Sequence, residues 1–362
     1  EWGRLPAFPG LPFPPMSQAG PTRVLVIRFS SMGDVILTSP VVRALHAMLE
    51  GEVEVHYLTK AAFADALTGL PNLHRVWTIH KSTAEVEGPL LEVGFHYIID
   101  LHSNARSGFI KRALRNKGTL DFTVDKKSLE KILLVRFGMD RLKGQHVVER
   151  YLEVLSPFGE ALSALGKLGD DGSLALPEPA SKEKSAGGHV DGGRVVLALG
   201  AAHVGKAIPA GHWQEIVAHL ASQQTPVDLI GGPDEAALAA ELAASFEGAD
   251  VLNHCGAATW SETFSIIGQG ALLVTGDTGA MHAGAALQVP MVVVWGCTSP
   301  ALGMGPWMPH PHTVQLEPEG PERMRPCSRL GDRCRHKVRC PERVSPQRVV
   351  TTIDAVLKRT TP

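Results

Sequence analysis

Apolar residues come along this chain in short β-branched runs. Each run is followed by a polar, glycine-bearing loop and then by a stretch of helical spacing. Residues 22–28 (TRVLVIR) form the first run and read as a buried strand. The loop 30–34 (SSMGD) turns the chain, and residues 35–49 have helical spacing, with Pro40 expected near the first turn. Residues 53–58 read as a second strand. Residues 95–101 (FHYIIDL) read as another, running into 102–106 (HSNAR). Strands that alternate with helical stretches predict a parallel, doubly wound sheet.

Residues 177–193 (PEPASKEKSAGGHVDGG) break the pattern with proline, glycine, serine and charge, and they read as a linker. The pattern then restarts. Residues 194–199 (RVVLAL) are a strand ending in 200–203 (GAAH), and 213–222 are amphipathic. Residues 227–230 are a strand, and 231–235 (GGPDE) open a helix. Residues 271–274 lead into 275–279 (TGDTG), an Ala/Gly-rich helix and the strand 289–295. A last helix runs from 345 to about 357. Two such arrays predict an α/β chain of two Rossmann-like domains. Their sites are expected at the carboxyl ends of strands and, by default, in the cleft between domains. The expected division is a disordered leader or extension (1–21), an N-terminal domain (22–176), the linker (177–193) and a C-terminal domain (194–344). The terminal helix (345–362) is expected to pack back on the N-terminal domain.

Composition fits this picture. A chain of 362 residues, 44% apolar and 20% charged, can build two globular cores. Its formal net charge of -2 gives no global attraction to nucleic acid. Locally, residues 101–150 hold 12 Lys/Arg against 5 Asp/Glu, and residues 321–343 hold 8 against 3. Such clusters suit phosphorylated substrates or an anionic membrane surface, or are simply solvated faces. No apolar run approaches the ~18–20 residues that would span a bilayer. The first 15 residues lack the basic-then-apolar order of a secretory signal, and Met16 could be a natural start. Five cysteines without such a signal favour a reducing cytoplasm.

The candidate chemistry lies at strand ends. Asp34 closes the loop after the first strand. It could accept a proton from a sugar hydroxyl as general base, or merely cap the helix. In 275–285 (TGDTGAMHAGA), a strand ends at a polar turn that opens a helix of small residues. Free backbone N–H groups and the positive helix end make an anion site there. Gly279 lets a phosphate approach, Thr278 can add a bond, and His282, one turn on, could reach the same ligand or serve as a structural hydrogen-bonding residue. Lys206, in the loop after the strand at 194–199, would be a mobile point charge near a phosphate, or a surface lysine. Glu235 could accept from ribose hydroxyls or cap its helix. The loop at 28–34 does not match GxGxxG, so a dinucleotide site of that kind is unsupported.

Residues 23–40 (RVLVIRFSSMGDVILTSP) and 275–300 (TGDTGAMHAGAALQVPMVVVWGCTSP) resemble the signature segments of glycosyltransferase family 9, the ADP-heptose:lipopolysaccharide heptosyltransferases. The resemblance extends from about Arg23 to the C-terminal helix. It implies a GT-B fold and inverting transfer of heptose from ADP-heptose, or a similar nucleotide-sugar, to a lipopolysaccharide-core or related saccharide. No metal is obligatory, although Mg²⁺ stays open. Asp34 matches the family's catalytic base. Asp277, Thr278, Gly279 and His282 match its diphosphate- and sugar-binding turn. Lys206 matches its phosphate-contacting lysine, and Glu235 a ribose-binding carboxylate. Around Lys206 the chain departs from the family's Thr/Ser-rich, Trp-Pro-containing stretch. An anionic, lipid-linked acceptor would suit Ser31 and the basic stretch with His102, Arg106, Lys111, Arg112, Arg115 and Lys117. That stretch would also suit loose attachment to the inner face of the membrane. Other readings are a sugar-nucleotide 2-epimerase, a transferase for another nucleotide-sugar, and a non-catalytic nucleotide-sugar-binding protein.

Cys327, Cys334 and Cys340 are spaced C-x6-C and C-x5-C, with His336 between. This lacks the CxxC pair of a structural zinc site and favours free thiols over a metal or a disulfide. Cys255 and Cys297 read as small residues at strand ends.

Overall fold

A computed structural model describes residues 20–115, 118–177, 193–320, 325–334 and 336–360. Most of the expected leader and linker lies outside the described residues. The first half of the chain runs through β1 (Thr22–Ile27), α1 (Met32–Ile36), α2 (Ser39–Met48), β2 (Val53–Lys60), β3 (Arg75–Ile79), α3 (Ala84–Val93) and β4 (Tyr97–Asp100). It continues through α4 (Ala105–Arg115), β5 (Leu120–Thr123), α5 (Ser128–Phe137), α6 (Val147–Glu153) and α7 (Ala161–Lys167). The second half runs through β6 (Val195–Ala198), α8 (Ala210–Ser222), β7 (Val227–Ile230), α9 (Ala236–Ser245), β8 (Val251–Asn253) and α10 (Trp260–Gln269). It ends with β9 (Leu272–Gly276), α11 (Gly279–Ala286), β10 (Met291–Val294), β11 (Val314–Leu316) and α12 (Pro346–Thr360).

The strands form two sheets, ordered β3-β2-β1-β4-β5 and β11-β10-β9-β6-β7-β8. All pairings are parallel. The central strands are buried along their length, as parallel sheets covered on both faces require. Strand order reverses between β1 and β4 in one sheet and between β6 and β9 in the other. Loops leaving the paired strands diverge there, opening a crevice at the carboxyl end of each sheet.

Three expectations are corrected. The helix predicted over 35–49 is two helices, with Pro40 in the first turn of α2. A proline ring clashes with the carbonyl four residues back, which is that of Ile36, the last residue of α1. The expected N-terminal domain (22–176) is not one piece. One compact unit takes in the chain to Ser30, Thr38–Lys126 and Val148–Gly172, while the other takes in Ser31–Leu37, Lys127–Val147 and Ser173–Pro362. In the second unit Leu134 and Leu142 form a small apolar cluster with Leu302. Finally, α12 falls in the second unit. Val349, Val350, Ile353 and Val356 fall on one face at helical spacing and are buried in the second core with Ile216 and Leu220 of α8.

Among the described residues no helix is long and apolar enough to cross a membrane. Ile353→Ala should destabilise the second unit by about 2–5 kcal/mol. Urea unfolding of the full chain measures this, and an unchanged midpoint would contradict the placement of α12.

Candidate functional site

Two helices far apart in sequence meet in the second unit. A Cβ placed on Gly33 of α1 would lie 2.4 Å from Cδ2 of His282 on α11. A Cβ on Gly279 would lie 3.3 Å from Cβ of Met32 and from Cη2 of Trp260. Glycine at both positions permits this approach, and the small residues Ala280, Ala283, Gly284 and Ala285 let α11 bury itself. Ser31 caps α1. Oδ2 of Asp34 accepts the Ser31 N–H at 3.0 Å and the Ser31 hydroxyl at 2.9 Å. Asp34 is therefore a helix-capping carboxylate, half-buried and held in one orientation.

The turn after β9 carries a buried carboxylate. Oδ2 of Asp277 lies 2.7 Å from Nζ of Lys206 and accepts the Thr298 hydroxyl at 2.7 Å. Lys206 is thus drawn from the loop after β6 to the loop after β9, the two strands that flank the reversal of strand order. Thr278 starts α11 in extended backbone, its hydroxyl 3.1 Å from that of Thr275, and its side chain does not cap the helix. The first backbone N–H groups of α11, with the positive end of its dipole, make an anion-attracting edge beside Lys206.

His282 is buried next to this edge. Burial pushes its pKa down to about 4. Asp277 and Asp34 pull it up, while His146 and Lys206 push it further down. The imidazole is neutral at physiological pH, and its Nδ1 has no hydrogen-bond partner among the described residues. Asp34, Asp277, Lys206 and His146 are the charged or titratable groups whose fields this ring feels. His146 was not foreseen. It comes from the segment Lys127–Val147, which joins the second unit, and its Nε2 lies 2.9 Å from the Gly305 carbonyl. Thr298 and Trp260 were also missed. No local signal marks any of the three.

Glu235 accepts the Gly232 N–H at 2.8 Å, so it caps its own turn. Its carboxylate also faces the backbone of Gly200, where a Cβ would lie 3.0 Å from Oε2. The β6 and β7 loops meet there.

The acceptor candidates separate. Ser31 is bound to Asp34 in the second unit. In the first unit, buried Asp100 organises the turn after β4, accepting the His102 and Ser103 N–H groups at 3.0 and 2.7 Å and the Ser107 hydroxyl at 2.8 Å. His102 packs edge-on to Phe29 at 5.1 Å, and the Arg106 guanidinium lies over the same ring at 5.9 Å. Arg112 is exposed on α4. Lys111 is ion-paired with Asp100 and Asp121, and Arg115 with Asp121, so the basic stretch is partly neutralised from within. Lys117 lies outside the described residues.

A strand-end, anion-attracting edge with a carboxylate and a neutral histidine suits a sugar-nucleotide transferase, and comparison with known proteins agrees. The family model for glycosyltransferase family 9 (heptosyltransferase) matches residues 85–331. The chain belongs to glycosyltransferase family 9. Lipopolysaccharide heptosyltransferase 1 of Pseudomonas aeruginosa is 26% identical over 366 aligned residues, covering 92% of this chain and 98% of that protein. Among solved structures, a family 9 glycosyl transferase from Veillonella parvula superposes with a TM-score of 0.72 at 19% identity, covering 93% of this chain and 98% of that one. ADP-heptose lipopolysaccharide heptosyltransferase II of E. coli gives 0.69 at 18% identity, covering 94% and 100%. This family 9 member has the GT-B architecture.

Among the described residues two side-chain groups have metal-binding composition, Glu54–His56–His74 and Cys297–Cys327–Cys334–Cys340. The first does not fit. His56 Nδ1 accepts the Trp77 indole N–H at 3.0 Å. Neutral His56 therefore carries its proton on Nε2, the atom 3.9 Å from Glu54, and has no lone pair there for an ion.

The depressed pKa of His282 predicts a pH dependence. As pH falls, the unfolded chain takes up this proton near pH 6.5 and the folded chain only near pH 4. This part of the stability is complete above about pH 6.5 and declines towards pH 4, by on the order of 3 kcal/mol in all. Urea unfolding at a series of pH values should show that slope, and His282→Gln should reduce it to the share contributed by His56, whose pKa burial also lowers to about 4.

Proposed function

We propose that this family 9 glycosyltransferase transfers heptose from ADP-heptose to a lipopolysaccharide-core acceptor with inversion. The observation that carries the reading is a single locus in the second unit. There Lys206 and the uncapped start of α11 face the same edge, and Asp34 stands by His282. The relatives support it. They include proteins named lipopolysaccharide heptosyltransferase 1, aligned over nearly the full length in the best-covered case, and solved chains of the same fold.

In this reading the diphosphate lies against the N–H groups of Gly279 and Ala280, with the Thr278 hydroxyl adding a bond. The Lys206 ammonium has three donors, so it can contact a phosphate oxygen and keep Asp277. Asp277 is then a positioning residue. Glu235, at the meeting of the β6 and β7 loops, takes the ribose, as acidic residues do in nucleotide folds. The acceptor hydroxyl attacks the anomeric carbon while the bond to the diphosphate breaks. Its proton passes to the carboxylate of Asp34, whose orientation Ser31 fixes, and the electron pair leaves with ADP. Charge growing on the leaving diphosphate is met by groups already in place, Lys206 and the helix end, which is why no divalent cation is required. His102, Arg106 and Arg112 are assigned to the acceptor, a lipid-linked anion that would bring the enzyme to the cytoplasmic membrane face.

Asp34→Asn should lower kcat/KM by about 10²–10⁴-fold, the usual worth of a general base. ADP affinity by calorimetry should stay near wild type. Lys206→Ala and Thr278→Val should instead weaken ADP binding. Wild-type turnover in Asp34→Asn would remove it from the chemistry. Release of ADP from ADP-heptose should need a lipid A–core acceptor and proceed at one rate with or without added Mg²⁺. Turnover with another nucleotide-sugar but none with ADP-heptose would reject the donor assignment, and a strict Mg²⁺ requirement would reject the cation-free mechanism.

A further inference from the structure

The segment between β11 and α12 is basic and carries little apolar side chain, and its described residues form no α-helix or strand, only a 3₁₀ turn at Cys340–Arg343. Leu330 and Val338 are exposed, and Val344, at the end of the segment, is buried in the core of the second sheet rather than in a core of the segment's own. Its fully buried side chains include Cys327 and Cys340, which pack with Cys297 from the end of β10 and with partly buried Cys334. All four sulfur atoms lie within 4.8 Å of one another. The Cys327–Cys340 and Cys334–Cys340 separations are 3.6 and 3.8 Å. A disulfide needs about 2.05 Å. A tetrahedral ion with metal–sulfur bonds of about 2.3 Å holds its sulfurs roughly 3.8 Å apart.

We propose that Cys297, Cys327, Cys334 and Cys340 bind one divalent ion of the zinc or iron class as a closed tetrathiolate site. Four thiolates in a tetrahedron select those ions over oxygen-preferring ones, and with no position open to water the site is structural. Binding releases four thiol protons and leaves a centre of net charge 2−. The Arg325 guanidinium lies alongside, donating to the carbonyls of Gly296 and Thr298 on either side of Cys297. A segment lacking its own core gains order from the ion, as small metal-stapled folds do.

The site also touches the donor loop. Cys297 N–H donates to the Gly205 carbonyl at 2.7 Å, Gly205 N–H to the Gly331 carbonyl at 3.0 Å, and Cys327 N–H to the Cys297 carbonyl at 2.8 Å. A Cβ on Gly205 would lie 2.6 Å from the Gly331 carbonyl oxygen and 2.9 Å from Cys297 Sγ, so only glycine fits. Lys206 is the next residue, and the ion braces the loop that presents it.

Full-length protein grown with zinc and iron and purified without chelator should carry close to one ion per chain by elemental mass spectrometry, the element deciding between the two. Reduced, metal-stripped protein given Co²⁺ should develop the thiolate charge-transfer and tetrahedral ligand-field bands of a four-sulfur site. Cys334→Ser, at the least buried ligand, should lose most of the bound metal and change that spectrum. Folded wild-type protein without metal and without cobalt bands would overturn the proposal. So would a cysteine–cysteine bond in the purified protein, or a cobalt spectrum indifferent to Cys334→Ser. The link to Lys206 rests on the donor reading above and has its own readout. Metal loss with unchanged ADP affinity would refute the bracing and leave the ion site standing.

Discussion

A histidine ring pressed against a glycine backbone joins α1 to the turn after β9. His282 is buried on α11, and only a residue without a side chain can occupy position 33 opposite it. That contact brings α1, and with it the Asp34 carboxylate, to the same locus as the turn after β9. Burial keeps the ring neutral, so it places no positive charge beside the Asp34 carboxylate.

Fixed charge is arranged around this contact in a consistent way. Asp277 is buried, and a buried carboxylate needs a partner. Lys206 and Thr298 supply it, and in doing so they set the lysine beside the start of α11. In the proposed reading the pair positions a cation for a phosphate before the donor binds, which is the preorganisation that makes electrostatic stabilisation effective. The loop that bears Lys206 is in turn hydrogen-bonded to the backbone around the cysteines. Donor turn, lysine loop and cysteine segment form one connected structure in the second unit, and a change in any of them should be felt at the others.

The first unit has a different character. Asp100 is fully buried at the end of β4 and spends its hydrogen-bonding capacity on its own turn and on Lys111. His102 and Arg106 gather on Phe29, while Lys111 and Arg115 are held by carboxylates. A count of basic residues therefore overstates the positive charge available to an acceptor, because ion pairs formed on folding are invisible to composition.

The sequence by itself determined the two parallel-sheet arrays, the polar loops at their strand ends and the family membership. Those features are local, since an apolar β-branched run, a small-residue turn and a helix cap are each decided within a few residues. Short strands such as β5, β8 and β11 escaped, because three or four residues carry too little pattern to stand out. Tertiary structure decided which elements meet. Whether α1 and α12 pack on one sheet or the other depends on shape, and both sheets offer apolar surface. His146, Thr298 and the fourth cysteine, Cys297, come from segments remote from the residues they join, and no spacing rule links them. Asp34 and Glu235 were legible as carboxylates at strand ends. Capping was open for both from the sequence, and the structure shows that each does cap its own helix or turn; that Lys206 is bound to Asp277 is a fact of distance, which a linear order of residues does not contain.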